Sequence, residues 1–240
     1  MINPIFQGVY ERFQEVKFAC TSENLGQTYP LDIWKERQLG YLEYASHSSP
    51  REESLSKILR SNRINQILDF GGGSGWLFKY LSNIGFEIES QIVVETNETI
   101  SWFKEFNQEV TWMNQSSLGD LVVLEDQAVL YTNSCIQYLE DLENDFLNLL
   151  SHPWKFVLLE DIPNLSNRDI WTRQHYYNFE IPYHFFNLDL IIANIESRGY
   201  VLESQNEYLQ IYPENWHYQI EHNQNLIIPS NPKTLVFSRH

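Results

Sequence analysis

Asp69-Phe70-Gly71-Gly72-Gly73-Ser74-Gly75 follows the apolar pair Ile67-Leu68 and runs at once into Trp76-Leu77-Phe78-Lys79-Tyr80-Leu81. Residues of these types in that order build a strand end, a glycine turn and a helix start, and bare glycine backbone lets a ligand approach closely. The chemistry served by such a turn is the binding of a nucleotide-bearing cofactor. Spacing narrows the choice. A dinucleotide turn needs Gly-x-Gly-x-x-Gly, but its third glycine falls on Trp76 counted from Gly71 and on Phe78 counted from Gly73. A P-loop needs Gly-Lys-Ser/Thr after its glycines, and none follows. What stands is Asp-x-Gly-x-Gly-x-Gly. Beyond it, the run Gln91-Ile92-Val93-Val94 ends in Glu95, about 20 to 25 residues past the glycines, where doubly wound folds place the acid that holds ribose hydroxyls.

These groups need a scaffold. From Asn65 onward strand-like and helix-like segments alternate, which predicts βαβ units and a largely parallel α/β sheet. Strands are expected at 66–70, 91–95, 109–113, 128–132, 155–160, 200–205 and 234–238, and helices near 75–84, 96–106, 139–150 and 187–198. Upstream, Phe6, Val9, Tyr10, Phe13 and Val16 recur at helical spacing, as do Leu31, Trp34, Leu39 and Leu42. A third helix is expected over about 52–59, after Pro50, which favours a helix start. The expected organisation is an N-terminal helical extension over 1–62, acting as a lid or packing on the sheet's edge, and one α/β domain over 63–240.

The Asp-x-Gly-x-Gly-x-Gly turn resembles the first motif of the class I S-adenosylmethionine-dependent methyltransferases. That resemblance implies S-adenosyl-L-methionine as cofactor and S-adenosyl-L-homocysteine as product. It implies a Rossmann-like doubly wound seven-stranded mixed sheet, the last strand inserted antiparallel beside the fifth. Asp69, Phe70, Gly71, Gly72, Gly73, Gly75 and Trp76 then surround the cofactor's methionine part, and Glu95 serves the ribose with Thr96 beside it. Ligands of open α/β sheets sit at the carboxyl ends of the strands. After the third strand, Gln115 and Ser116 suit the adenine edge; after the fourth, Asn133 and Ser134 suit the amino-acid end, and Gln137 and Tyr138 continue the rim toward an acceptor.

Between the fifth strand and the next helix, residues 171–186 form a dense aromatic segment, Trp171-Thr172-Arg173-Gln174-His175-Tyr176 onward to Ile181-Pro182-Tyr183-His184-Phe185-Phe186. It is read as an active-edge loop that walls off water, with Gln174, Tyr176, Tyr183 and His184 as acceptor-binding candidates beside Glu160. With Leu68-Asp69-Phe70-Gly71-Gly72-Gly73, Asn133-Ser134-Cys135-Ile136-Gln137-Tyr138-Leu139, Leu159-Glu160-Asp161-Ile162-Pro163 and the Gly199-Tyr200 region, it resembles a bacterial set, the LIC12133-type methyltransferase family. Members often occur among genes for surface polysaccharides, so the resemblance implies methylation of a sugar or an activated glycan precursor, with O-methylation favoured. This chain lacks the Arg of an Asp-Arg pair that members often carry near Glu160-Asp161. An alcohol acceptor must lose a proton, and a general base contributes about 10² to 10⁴ in rate. His175 is the first candidate base and His184 the second, with Asp161 and Glu160 able to orient the imidazole or bind hydroxyls. Two alternatives stand beside this reading. A nicotinamide-dependent oxidoreductase fits the fold but not the glycine spacing, and a methyltransferase-fold binding protein without turnover fits the motif.

A formal charge of −16, from 16 basic and 32 acidic residues, repels nucleic acid and anionic membranes, so the expected partner is a small-molecule acceptor, sugar or nucleotide-linked. No apolar run approaches the ~20 residues of a membrane span, and Met1-Ile2-Asn3-Pro4 lacks signal-peptide features. The two cysteines, Cys20 and Cys135, suit a reducing compartment, and a cytoplasmic location is expected. No ligand pattern calls for a metal, although His217 and His222 lie near Glu214 and Glu221. The segment 211–232 is read as a dimer contact or a surface loop.

Overall fold

Gln66–Phe70 is buried at every position, Ser90–Glu95 at all but its two ends, and Ala128–Asn133 at all but Asn133. Such runs suit strands covered on both faces, the habit of parallel sheets. The computed structural model describes residues 6–20, 31–43, 45, 53–121, 127–165, 168–176, 179–208, 219–227 and 229–239. Pro50 and Glu52, Tyr177 and Asn178, and Glu214, Trp216, His217 and Tyr218 lie outside these residues. Numbered along the chain, the strands are β1 (Phe6–Tyr10), β2 (Gln66–Phe70), β3 (Ser90–Glu95), β4 (Thr111–Asn114), β5 (Ala128–Asn133), β6 (Phe156–Leu165), β7 (Ile170–Tyr176), β8 (Phe179–Asn187), β9 (Val201–Glu207), β10 (Ile220–His222), β11 (Asn225–Ile227) and β12 (Ser230–Ser238). The helices are α1 (Phe13–Ala19), α2 (Leu31–Glu43), α3 (Glu53–Ser61), α4 (Trp76–Asn83), α5 (Asn97–Phe103), α6 (Leu142–Asp145) and α7 (Leu188–Glu196).

The main sheet runs β4-β3-β2-β5-β6-β12-β9, parallel from β4 to β6, with β12 antiparallel to both its neighbours. This is the expected seven-stranded mixed sheet. β2 lies between β3 and β5, so the order of the chain reverses there, and in open α/β sheets ligands bind at the carboxyl ends of the strands beside such a switch. Register pairs Phe70 with Val94 and Thr132, Glu95 with Asn114, and Asn133 with Glu160. The strand-end residues therefore form one rim.

Neighbouring residues go to opposite faces, as the two-residue strand period requires. Leu68, Leu130, Val157 and Leu159 pack with Phe146, Trp154, Ile191 and Tyr200 on one side. Ile67, Val129 and Leu158 meet Leu55, Leu77 and Leu81 of α3 and α4 on the other. Among the described residues no helix is long and apolar enough to cross a membrane.

Three segments differ from expectation. The aromatic segment 171–186 is not a loop: β7 and β8 pair antiparallel from Ile170↔Phe185 to Tyr176↔Phe179. Its bulky side chains alternate between two faces, a strand period hidden because both faces are covered. Phe6–Tyr10 is a strand rather than the start of a helix; it pairs with β7, and its Gly8 has φ +80°. Spacing alone could not decide, since Phe6, Val9 and Tyr10 meet a helical template, whereas the pairing edge comes from residues more than 160 positions away. The expected helix 139–150 is cut into α6 and a 3-10 turn, Leu147–Ser151, because Asp141 caps at Asn144 N and begins the helix late.

β6 continues to Leu165, past the expected 155–160, and its far end pairs with β8 at Asn164↔Phe186. An arm of order β8-β7-β1-β10-β11 thus grows from the carboxyl edge of the main sheet. The described part of the N-terminal extension is helical in α1, α2 and α3, while β1 belongs to this arm.

Candidate active site

The turn after β2 is built on positive backbone angles, φ +74° at Gly71, +59° at Gly73 and +69° at Gly75, a region costly for any residue with a Cβ. Space is equally short. A Cβ at Gly71 would overlap Cys135, one at Gly72 the Asp69 carboxylate, and one at Gly73 the Gln38 amide. The glycines thus answer to close packing of the protein's own side chains. Asn107 holds the turn from below, its Nδ2 donating to the carbonyls of Ser74 (3.1 Å) and Gly75 (3.0 Å).

Asp69 lies beneath the turn and is buried, accepting 2.9 Å from Gln91 Nε2. Burial, then the nearby Glu95 charge, pushes its carboxyl up to about 8. Glu95 accepts from Gly73 N at 2.9 Å and Thr96 N at 3.1 Å. Burial pushes it up to about 7 against the pull of those N–H groups. Burial first, then Glu95 and Asp69, pushes the Cys135 thiol up, which keeps it neutral. Phe70 is a core residue, edge-on to Phe146, and Trp76 opens α4 between Tyr41 and Tyr80. Thr96 caps α5 through Thr99 N. Gln115 reaches the carbonyl of Asp145 (3.3 Å), and Ser116 is held by Asn114 Oδ1.

Helix α2 crosses this edge. Gln38 Oε1 accepts from Ser74 N at 3.0 Å, Tyr41 packs on Trp76, and Lys35 lies over the Trp102 ring. Arg37 donates to Tyr41 (2.8 Å) and to Tyr176 of β7 (2.7 Å).

Beside the turn, the ends of β5 and β6 carry a polar cluster. Glu160, 1 % exposed, accepts from Tyr131 (2.8 Å) and Asn133 Nδ2 (3.2 Å), and Tyr208 lies 3.4 Å from the same amide. Ser134 Oγ reaches Asp161 Oδ2 and Asn133 Oδ1. Ser134 and Asp161 adopt φ of +53° and +56°, strained for residues other than glycine and typical of functional sites. Ser74 Oγ, Thr132 Oγ1 and Gln137 Oε1 on this edge are buried with no hydrogen-bond partner among the described residues. Such orphans are rare without a role.

The arm sorts the remaining candidates by face. Gln174 bonds Tyr138 at 3.1 Å, and Tyr183 meets the Tyr138 ring edge-on at 5.3 Å, so the face carrying Gln174, Tyr176 and Tyr183 looks onto the rim. His175 lies on the other face. Its Nδ1 is 3.5 Å from Glu180, which also pairs with Arg173, and Arg173 reaches the carbonyl of Ala19 at the end of α1. His184, stacked on Trp171 at 4.3 Å and paired with Asp169 at 3.5 Å, is on this far side as well; burial lowers its pKa despite Asp169. Strand alternation therefore separates both histidines from the Asn133–Asp161 cluster. Among the described residues no group of three or more His, Cys, Asp or Glu is arranged to hold a metal ion. Gln38, Asn107, Tyr131 and Tyr208 escape sequence reasoning, since each joins the site only through distant packing.

The seven-stranded order, the inserted antiparallel strand and the glycine turn at the switch define the Rossmann-like fold of the class I S-adenosylmethionine-dependent methyltransferases. Solved structures agree. The chain is similar to an S-adenosylmethionine-dependent methyltransferase from Clostridium acetobutylicum (TM-score 0.53, 11% identity, covering 86% of this chain and 99% of that one). It is similar to DesVI from Streptomyces venezuelae (0.52, 14%, 89% and 100%). It is also similar to CalS10, a SAM-bound amino pentose methyltransferase from Micromonospora echinaspora involved in calicheamicin biosynthesis (0.51, 9%, 90% and 99%). No family model and no curated protein matches the sequence.

Proposed function

We propose that this chain is an S-adenosylmethionine-dependent methyltransferase that methylates an oxygen of a small carbohydrate-related acceptor. The observation that carries the reading is the joint position of the Gly71–Gly75 turn, the Glu95 carboxylate and the orphaned Ser74 hydroxyl at the switch point of the sheet. When bound, the cofactor supplies an electrophilic methyl carbon on a sulfonium, a leaving group that needs no acid. Glu95 would hold the ribose hydroxyls while keeping its bond to Gly73 N, with Thr96 beside it, and Gln115 and Ser116 would edge the adenine.

The acceptor lies between the β5–β6 cluster and the arm. Asp161, within reach of Ser134 Oγ, takes the acceptor's hydroxyl proton, and Glu160 with Asn133 binds neighbouring hydroxyls. Tyr138, Gln174, Tyr176 and Tyr183 form the wall that excludes water, and alignment in a dry site supplies much of the rate. Of the N-terminal extension, α2 serves as the lid on the domain of 63–240, laid on the turn through Gln38 and Tyr41, whereas β1 belongs to the arm and α3 packs into the sheet core. Likeness to CalS10, an amino pentose methyltransferase, supports a sugar-related acceptor, and the LIC12133-type resemblance supports a precursor of bacterial surface polysaccharide.

Calorimetric titration with S-adenosyl-L-homocysteine, NAD and NADP tests the reading. Selective binding of the first, weakened about tenfold or more by Glu95→Ala through loss of a charged hydrogen bond, is the expected result. Binding of a nicotinamide cofactor instead, or of none, refutes it.

A further inference from the structure

In the glycine turn four backbone donors are engaged by the protein. Gly71 N donates to Val94 O, Gly73 N to Glu95 Oε1, Ser74 N to Gln38 Oε1 and Gly75 N to Gly72 O. Nor are the cations of α2 available. Arg37 is held between Tyr41 and Tyr176, and Lys35 lies over Trp102. Gln38 differs from these. Its side chain is buried, 4 % exposed, and packs against Gly73 so closely that a Cβ there would overlap it. Ser74 N–H fixes which end of the amide is oxygen, because only Oε1 can accept. The opposite end, Nε2, carries two donors and has no partner among the described residues.

We propose that Gln38 is the carboxylate-binding residue of the cofactor site, its Nε2 donating to the amino-acid carboxylate of S-adenosylmethionine while Oε1 stays on Ser74 N. The inference rests on the methyltransferase reading above and adds to it a residue outside the α/β domain, on the lid helix. A carboxylate seated on Gln38 ties α2 to the turn. Arg37, the preceding residue, ties the same helix to Tyr176 of the acceptor wall.

The test compares two ligands that share a nucleoside and a thioether and differ in the amino-acid end: S-adenosyl-L-homocysteine and 5′-methylthioadenosine. Each is titrated against the full-length chain and the Gln38→Ala and Gln38→Glu variants. Gln38→Ala is expected to weaken S-adenosyl-L-homocysteine by about ten- to a hundredfold, the worth of a hydrogen bond to a charged group, and 5′-methylthioadenosine by less than about twofold. Gln38→Glu keeps an acceptor for Ser74 N but sets a negative charge against the ligand carboxylate, so it weakens the first ligand further and spares the second. Equal weakening of both ligands, or unchanged affinity for S-adenosyl-L-homocysteine in Gln38→Ala, overturns the assignment. Wild-type chain that binds neither ligand overturns instead the methyltransferase reading on which it rests.

Discussion

Replacing Asp69 by Asn should flatten the pH dependence of folding stability. The carboxyl is buried beneath the glycine turn with Gln91 Nε2 as its donor, and burial followed by the Glu95 charge pushes it up to about 8. In the unfolded chain it loses its proton near pH 4. A raised folded pKa means that the stabilising contribution is complete below about pH 4 and is lost as the pH climbs through about 8. Between about pH 5 and about pH 8.5 the loss from this one group comes to about 4 kcal/mol, since each pH unit between the two pKa values is worth about 1.4 kcal/mol. Asn has the same shape, accepts from Gln91 through Oδ1 and does not titrate. Urea unfolding of wild type and Asp69→Asn across that range should show the wild type losing stability with rising pH much more steeply than the variant. Parallel curves would mean that Asp69 is solvated or compensated in the native state, and the account of a buried proton under the turn would be wrong.

Two further perturbations probe the turn and the rim. Gly71→Ala combines a left-handed backbone angle, about 1–2 kcal/mol, with an overlap against Cys135 of about 1–3 kcal/mol. A destabilisation of about 2–5 kcal/mol, partly recovered when Cys135→Gly is added, should appear in denaturant midpoints, and a loss below about 0.5 kcal/mol would contradict the packing described. Asp161→Asn should lower methyl transfer to a panel of nucleotide-linked sugars by about 10²- to 10⁴-fold while sparing S-adenosyl-L-homocysteine affinity. His175→Ala, on the far face of the arm, should leave transfer within about threefold of wild type; the reverse pattern in radiolabelled methyl-transfer assays would return the base to His175.

The alternation of elements after Asn65 and the glycine spacing made the α/β class and the glycine turn at its switch point readable from the chain alone, because both are local. An apolar run, a turn and a helix start within about a dozen residues carry their own signal. The place of Glu95 at a strand end was legible for the same reason, as the end of the next apolar run. The arm was not. β7 and β8 bury side chains on both faces, so no polar alternation marks them, and their pairing with Phe6–Tyr10 joins segments more than 160 residues apart.

Those long-range pairings decided what sequence order left open. Strand alternation turned His175 and His184 toward α1 while Gln174, Tyr176 and Tyr183 faced the rim, and neighbours in sequence were thereby divided between two environments. Packing of α2 across the carboxyl edge brought Gln38 onto Ser74, and the ends of β5 and β6 brought Ser134 to Asp161 and Tyr208 to Asn133. The sequence by itself determined the kind of sheet and the turn at its switch point, since propensity and hydrophobic period act over short stretches. Which polar groups meet at that turn was decided only by tertiary structure, because burial and register, not local spacing, set the distances between them.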